Sequence, residues 1–483
     1  MNASIFRRIT VIGFGALVLT HCAQNPVTGD KNFVLLSEAQ EIQMGAQAHK
    51  DVLKEYAPLD HPALQAYVND VGQQLAKQSH RPNLQWHFTV VDSPDVNAFA
   101  LPGGYIYITR GIMAYLNSEA ELAGVIGHEI GHVTARHGVR QQSAATAAGV
   151  GAILGSILVP GLNNQQGATL LQTLAQSLTA GYGREHELES DRLGAEYLAK
   201  NGYNTQAMID VIGVLKNQEL FAAEQAKRDG REPRTYHGTF DTHPSNDTRL
   251  KQVVGEAAKY KVTNPRDGQY ELLKKMDGVY FGDSPEQGVI RSNALLHDKL
   301  GLALQFPPGW RVQNRPDRVM AVSPQGDALL ELQQGPKNDK PLETLQKSLK
   351  LDAGARYDNG NLSGYPAAFA AGAQQGKPVV VAAVVFNSTQ YLIAGMAKDQ
   401  TVYNRERATL RTAINSFHAI SAAERQAARP FVIKLTTAQP GTTMAALARS
   451  SPLGADAESQ LRLMNDLYPS GEPRPSQLLK IVQ

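Results

Sequence analysis

Two histidines four residues apart, His128 and His132, close an apolar, glycine-rich stretch, and from Val133 to Arg184 there is neither Asp nor Glu. On a helix, residues four apart share a face, so both imidazoles can aim at one point, with Glu129 projecting beside them. The pattern His128-Glu129-Ile130-Gly131-His132 is the H-E-x-x-H arrangement of a metal site on a helix. Such a site needs a third protein ligand and an open position. The chain has one cysteine, Cys22, so it can form neither a thiolate cluster nor an internal disulfide. The missing ligand must be a histidine or a carboxylate, and the fold must bring a distant segment back to this helix.

The helix itself is well marked. Ser118 with Glu121 three residues later is a candidate capping box, and the helix is expected to run to His137, with Gly138 as the stop. Gly124, Gly127 and Gly131 would be poor choices in a helix whose histidines were merely structural. A metzincin would carry Gly at 135 and His at 138, but Ala135 and Gly138 stand there, so that subclass is excluded. His137 is one residue out of register and reads as a cation at a helix C-terminus.

The first acidic groups after the gap are in Glu185-His186-Glu187-Leu188-Glu189-Ser190-Asp191. At about 100° per residue, Glu185, Glu189, Arg192 and Glu196 form one charged stripe that is expected to face water. Glu187, Asp191, Gly194 and Leu198 lie opposite, so two carboxylates point inward, which is costly unless a cation or histidines await them. Glu187 is therefore expected as the third ligand, and Asp191 as the acceptor that orients a ligand histidine.

Around this core the chain reads as α+β. Helices are expected from Ser37 to Tyr56 and Leu64 to Lys77, and strands from Trp86 to Val91, Val96 to Leu101 and Tyr105 to Thr109. Residues 143 to 181 are almost uncharged; Pro160-Gly161 and Asn163-Asn164 break the run and favour a buried helical hairpin over a membrane-dipping segment. Asp283-Ser284-Pro285 follows a boundary, and a mixed strand and helix domain runs from 286 to 420, with no catalytic constellation. The tail from 430 to 483 reads as a βααβ unit. At 483 residues, about three units are expected. The net charge of +2 leaves no basic field for nucleic acid.

At the start, Arg7 and Arg8 precede an apolar run from Ile9 to Leu19, too short to span a bilayer, as in the signal expected over residues 1–22. Leu19-Thr20-His21-Cys22 resembles a bacterial lipobox, with His21 where a small residue is usual. Lipidation of Cys22, plain secretion and a retained anchor remain as alternatives. All three lead to the periplasm, the first with an outer-membrane anchor.

His128 to His132, Glu187-x-x-x-Asp191 with Arg184 ahead of it, and His243-Pro244 with Arg249 together resemble the CAAX prenyl protease-like zinc metallopeptidases. Asn25-Pro26-Val27-Thr28-Gly29 and the lack of a spanning apolar segment resemble that family's soluble periplasmic BepA-type branch. The resemblance covers roughly Asn25 to Tyr260; Gly183 departs from it, where Ser is commoner. It implies a mainly helical, gluzincin-type metallopeptidase domain with a small sheet, over residues 23–275. It also implies one Zn2+ per chain on His128, His132 and Glu187, with Glu129 as general base. His243 would be either a fourth, inhibitory ligand or a stabiliser of the tetrahedral intermediate, and Arg249 would stabilise the oxyanion or tie its loop down. Asn97, Ala98 and Phe99 would line the cleft, where an extended substrate adds as a strand.

The implied function is a zinc metalloendopeptidase acting on unfolded or misfolded envelope proteins in quality control, with the outer-membrane assembly machinery as a partner. The alternative is a chaperone or assembly factor whose proteolysis is held off by the zinc-binding loop. The middle domain, from Phe306-Pro307-Pro308-Gly309-Trp310, resembles PsbP-like α/β domains. The tail resembles LysM modules, which leaves peptidoglycan contact and a plain packing role both open.

Overall fold

The structure is a computed structural model that describes residues 22–29, 31–34, 36–143, 183–228, 253 and 255–483. The signal run before Cys22, the charge-poor stretch from 144 to 181, His243 and Arg249 lie outside these residues. The chain divides into two compact units: the described parts of Met1–Leu53, Pro58–Val279 and Val432–Gln483 form the first, and Lys54–Ala57 with Tyr280–Phe431 form the second.

The first unit starts with a short antiparallel pair, β1 (Cys22–Gln24) and β2 (Lys31–Phe33), followed by helices α1 (Glu38–Glu55) and α2 (Pro62–Lys77). Pro62 opens α2 where a missing N–H costs nothing, and Leu64, Val68, Val71 and Leu75 give it one buried face. Strands β3 (His87–Val91), β4 (Ala98–Leu101) and β5 (Tyr105–Thr109) form a sheet of order β3-β5-β4, with β3 parallel and β4 antiparallel to β5. Among the described residues β4 is thus the outer strand. The β4–β5 turn passes through Gly103 and Gly104 at φ of 84° and 94°, a region closed to most side chains.

A short helix α3 (Arg110–Met113) leads to α4 (Glu119–Thr134), which carries His128 and His132 and is buried along its whole length. The Ser118 hydroxyl accepts from the Glu121 N–H at 3.1 Å, as an N-cap should, while the Glu121 carboxylate accepts from the Asn117 N–H at 2.8 Å. The helix stops at Thr134, short of the expected His137. Arg136 turns into the left-handed region at φ 58°, and residues 137–143 are helical again, so Gly138 is not the stop. The Arg136 guanidinium explains the break: it reaches the buried Glu41 carboxylate at 2.7 Å and the Leu36 carbonyl at 3.0 Å. Arg81, which follows α2, donates to the same carboxylate at 2.7 Å and to the Val133 carbonyl at 3.1 Å, so it too ties α1 to the end of α4.

Helices α5 (Arg184–Lys200), α6 (Gln206–Arg228) and α7 (Gln269–Met276) follow. The crossing of α4 and α5 is very close. A Cβ on Gly131 would come within 3.0 Å of the Ser190 Cα, and one on Gly194 within 3.2 Å of the His128 nitrogen. Small residues at these positions let the two backbones touch, and that contact sets the reach of every side chain between them.

In the second unit, β6 (Tyr280–Phe281) is followed by β7 (Val289–Arg291), β8 (Ala294–His297) and β9 (Leu302–Gln305). Next come β10 (Arg311–Asn314), β11 (Arg318–Val322), β12 (Ala328–Gln334) and α8 (Pro341–Ser348). Strands β13 (Arg356–Leu362), β14 (Tyr365–Gln374), β15 (Lys377–Phe386) and β16 (Thr389–Ala397) lead to α9 (Gln400–Asn415), β17 (His418–Ala419) and α10 (Ala422–Ala427). The main sheet is wholly antiparallel, in the order β10-β11-β12-β16-β15-β14-β13. Strand β15, an interior strand of this sheet, is apolar on both faces. Val380, Ala382 and Val384 pack with Leu410 and Ile414 of α9, whereas Val379, Val381 and Ala383 pack with Leu345 of α8. A strand covered on both sides reads as a continuous apolar run rather than an alternation.

The tail has the expected order: β18 (Phe431–Thr437), α11 (Met444–Ala448), α12 (Ala457–Met464) and β19 (Leu478–Val482), the strands antiparallel. From Val432 it is part of the first unit. Lys480 is completely buried and donates to the carbonyls of Ala114 and Leu116 at 2.8 and 2.6 Å, just ahead of α4. Tyr468 donates to Glu224, and Gln225 to Asp456, so the tail also grips α6. Among the described residues no helix is long and apolar enough to cross a membrane.

Candidate metal centre

The α4–α5 contact brings His128, His132 and Glu187 together, all buried, with one potential ligand atom from each inside a span of 4.8 Å. The Nε2 atoms of the two histidines are 2.9 Å apart, and the Glu187 oxygens lie 3.6 Å from His128 Nε2 and 3.4 Å from His132 Nε2. Glu129 is buried and lines a recess with His128, Asp191, Ala98, Val125 and Met208. Asp191, one turn beyond Glu187, accepts from His128 Nδ1 at 2.8 Å.

Proton positions can be assigned from the outside inwards. Burial works against ionisation of Glu189, yet the hydrogen bonds and charges of His137 and Arg140 outweigh it and hold that carboxyl at about 2. Ionised Glu189 can only accept, from His137 Nε2 at 2.9 Å and from Arg140 at 3.0 Å. Burial lowers the His137 pKa, so its ring is neutral and its Nδ1 is an acceptor. That nitrogen lies 2.9 Å from His132 Nδ1, which must carry the proton. Burial also drives His132 well below its usual pKa, against the pull of Glu187, so this ring too is neutral. With Asp191 taking the Nδ1 proton of His128, both Nε2 lone pairs and the Glu187 carboxylate face one another. That set fits a cation: two imidazole nitrogens and a carboxylate are a zinc donor set with positions left for other ligands. Without a cation, the three acceptors would repel.

Two expectations change here. His137 is not a cation at a helix end: it has no exposed surface and sits against His132. Glu189 does not simply face water, because its side chain is only 17% exposed and is taken up by His137 and Arg140. Glu185 is exposed, and Arg192 and Glu196 are partly so, as the stripe predicts. Spacing along α5 cannot reveal that Glu189 lies beside the loop after α4. The one available signal is the residue pair Arg136-His137 following a metal-binding motif, and it names no partner.

The remaining candidates fall on β4. Ala98 faces the recess beside Glu129, while Ala100 and Leu101 border a second recess with His132 and Arg136. Phe99 points to the other face and stacks on Tyr107 at 4.8 Å. Asn97 precedes the strand; its N–H donates to the Thr109 hydroxyl, and its side-chain oxygen is buried with no hydrogen-bond partner among the described residues.

Residues 62–257 match the model of peptidase family M48. The chain is 32% identical over 301 residues to the beta-barrel assembly-enhancing protease of Yersinia pestis, covering 58% of this chain and 59% of that protein. It is 28% identical over 201 residues to the mitochondrial metalloendopeptidase OMA1 of Schizosaccharomyces pombe, covering 41% of this chain and 58% of that one. The chain thus spans somewhat more than half the length of these curated relatives. Among solved structures it is similar to a cyanobacterial PsbP from Synechocystis sp., at 11% identity and a TM-score of 0.21, over 28% of this chain and 96% of that chain. A matching family model over residues 62–257 and relatives named as proteases, set beside a buried His-His-Glu cluster on two crossing helices, make this region of the chain similar to peptidase family M48.

Proposed function

We propose that this chain is a zinc-dependent metalloendopeptidase of the bacterial cell envelope, cutting peptide bonds in extended or misfolded proteins. The observation that carries the reading is the convergence of His128, His132 and Glu187, with Glu129 buried beside them. His128, His132 and Glu187 would hold the ion. When bound, zinc supplies Lewis acidity, which makes water a competent nucleophile near neutral pH and polarises a carbonyl. Glu129 takes the proton from the attacking water and returns it to the leaving amine. Asp191 keeps His128 in the ligating tautomer. Strand β4, the outer strand of its sheet among the described residues, would receive an extended peptide alongside it, which favours unfolded segments over folded ones.

The envelope setting rests on the Arg7–Cys22 leader pattern and on the Yersinia relative, whose name joins proteolysis to beta-barrel assembly. Clients in or near outer-membrane assembly are the partners this suggests. His243 and Arg249 are assigned to the same catalytic loop by the resemblance alone.

The test is zinc content and casein hydrolysis of the purified chain beside Glu129→Gln. The expected result is one zinc in both proteins, with cutting reduced about 10²- to 10⁴-fold in the variant. Zinc without cutting in the parent would favour a chaperone whose catalysis is held off. Absence of zinc would overturn the ligand assignment.

A further inference from the structure

The two ligand histidines are held in different ways. His128 gives its Nδ1 proton directly to a carboxylate, Asp191. At its Nδ1, His132 meets another ring rather than a carboxylate among the described residues: His137 Nδ1 lies at 2.9 Å, and His137 Nε2 meets Glu189 at 2.9 Å. Arg140 donates to the same Glu189 oxygen at 3.0 Å, and the Ser190 hydroxyl lies 3.2 Å from His137 Nδ1. We infer that His137 and Glu189 are positioning residues for the metal site, a relay that fixes the tautomer and the direction of His132.

The hydrogen bond from His137 Nε2 to the Glu189 carboxylate places an N–H at Nε2, and the 2.9 Å contact between the two Nδ1 atoms needs one donor and one acceptor. The relay takes His137 Nδ1 as the acceptor. His132 must then donate from Nδ1, which leaves Nε2 as the only nitrogen able to bind a metal. If His137 offered a proton to His132 instead, His132 Nε2 would carry hydrogen and could not ligate. The relay also locks the ring rotation, because His137 is held between the end of α4 and Glu189–Ser190 of α5. Outer partners of this kind are worth about 10- to 100-fold in metal affinity.

This inference rests on the reading of His132 as a ligand, and the experiment keeps the two apart. Zinc affinity is measured by chelator competition on the full chain, with the visible spectrum of the cobalt(II)-loaded form, for the parent, His132→Ala, His137→Phe, His137→Asn and Glu189→Gln. His137→Phe, which keeps the ring but has no acceptor, is expected to bind zinc about 10- to 100-fold more weakly and to shift the cobalt spectrum. His137→Asn is expected to recover most of the affinity, because its side-chain oxygen can take the place of Nδ1. Glu189→Gln, at a partly exposed position, serves if His137→Phe does not fold, and should weaken zinc binding in the same direction. Zinc affinity within about twofold of the parent and an unchanged cobalt spectrum in every folded His137 and Glu189 variant would overturn the relay. A parent that binds no zinc, or a His132→Ala variant that binds like the parent, would overturn the ligand reading and the relay with it.

Discussion

The two compact units solve the same burial problem with different materials. The first buries Glu41, Arg81, Asp92, Arg110, Glu119, Glu121, Glu129, Glu187, Asp191 and Lys480 along with its apolar core. In the second, the buried polar residues are Ser284, His297, Ser323, Thr344 and Gln390, none of them a carboxylate, lysine or arginine. Burying a charge is costly unless it is paired and hydrogen-bonded, and such pairs often stabilise no better than apolar packing would. A unit that keeps so many buried charges is holding side chains in set orientations, and the metal centre is where orientation matters. The second unit, by contrast, carries a main sheet covered by helices on both faces, and among its described residues no buried carboxylate, lysine or arginine.

The two tryptophans fall one in each unit, Trp86 in the first and Trp310 in the second, so each unit's unfolding can be followed separately in single-tryptophan variants. The hardest test is Glu41→Met. It leaves the buried Arg81 and Arg136 without their shared carboxylate, and the first unit should lose about 3–5 kcal/mol in urea unfolding while the Trp310 signal is unmoved. A loss below about 1 kcal/mol would mean that these charges are no better placed than surface ones, and the contrast would collapse.

Lys480 gives the next effect, read through pH. Burial pulls its pKa down to about 7, against the attraction of Glu121 and Asp466. The unfolded chain holds that proton up to about 10.4. Between these values the unfolded state binds more protons, so this lysine makes stability rise with pH from about 7 to about 10.4, with the full cost of its charge present below that window. Lys480→Met should flatten that rise in the Trp86 transition, and an unchanged slope would show that the tail's lysine is not sealed from water. Smallest of all is Ile393→Val in the second unit, where a methylene lost from an apolar core costs about 0.5–1.5 kcal/mol. It should appear only in the Trp310 transition and leave zinc affinity untouched; a change in affinity would mean that the second unit is not the passive scaffold its core suggests.

Helices α1, α2, α4 and α5 and the strands β3, β4 and β5 were legible from their apolar spacing and from end signals such as Ser118 and Gly103-Gly104, whereas α6 and α7 were not read from the sequence. In the second unit, β12, β15 and β16 could be read from their apolar runs. Strand β13 could not: its residues are mostly exposed and polar, and at the edge of a sheet only backbone pairing with β14 makes Arg356–Leu362 a strand. The tail's order was readable as well, but its inclusion in the first unit was not, since a buried Lys480 looks on paper like a surface lysine. The break at Arg136 was hidden for a similar reason: it depends on Glu41, almost a hundred residues earlier.

What the sequence determined by itself is the chemistry that local geometry enforces. A four-residue spacing puts His128 and His132 on one face, a single cysteine leaves only nitrogen and oxygen donors, and helical periodicity turns Glu187 and Asp191 inward. What only the tertiary structure decided is which groups meet across the α4–α5 crossing: Asp191 with His128, and Glu189, through His137, with His132. Spacing fixes direction within one helix, but contact between helices depends on how closely their backbones approach, and here that distance is set by Gly131 and Gly194.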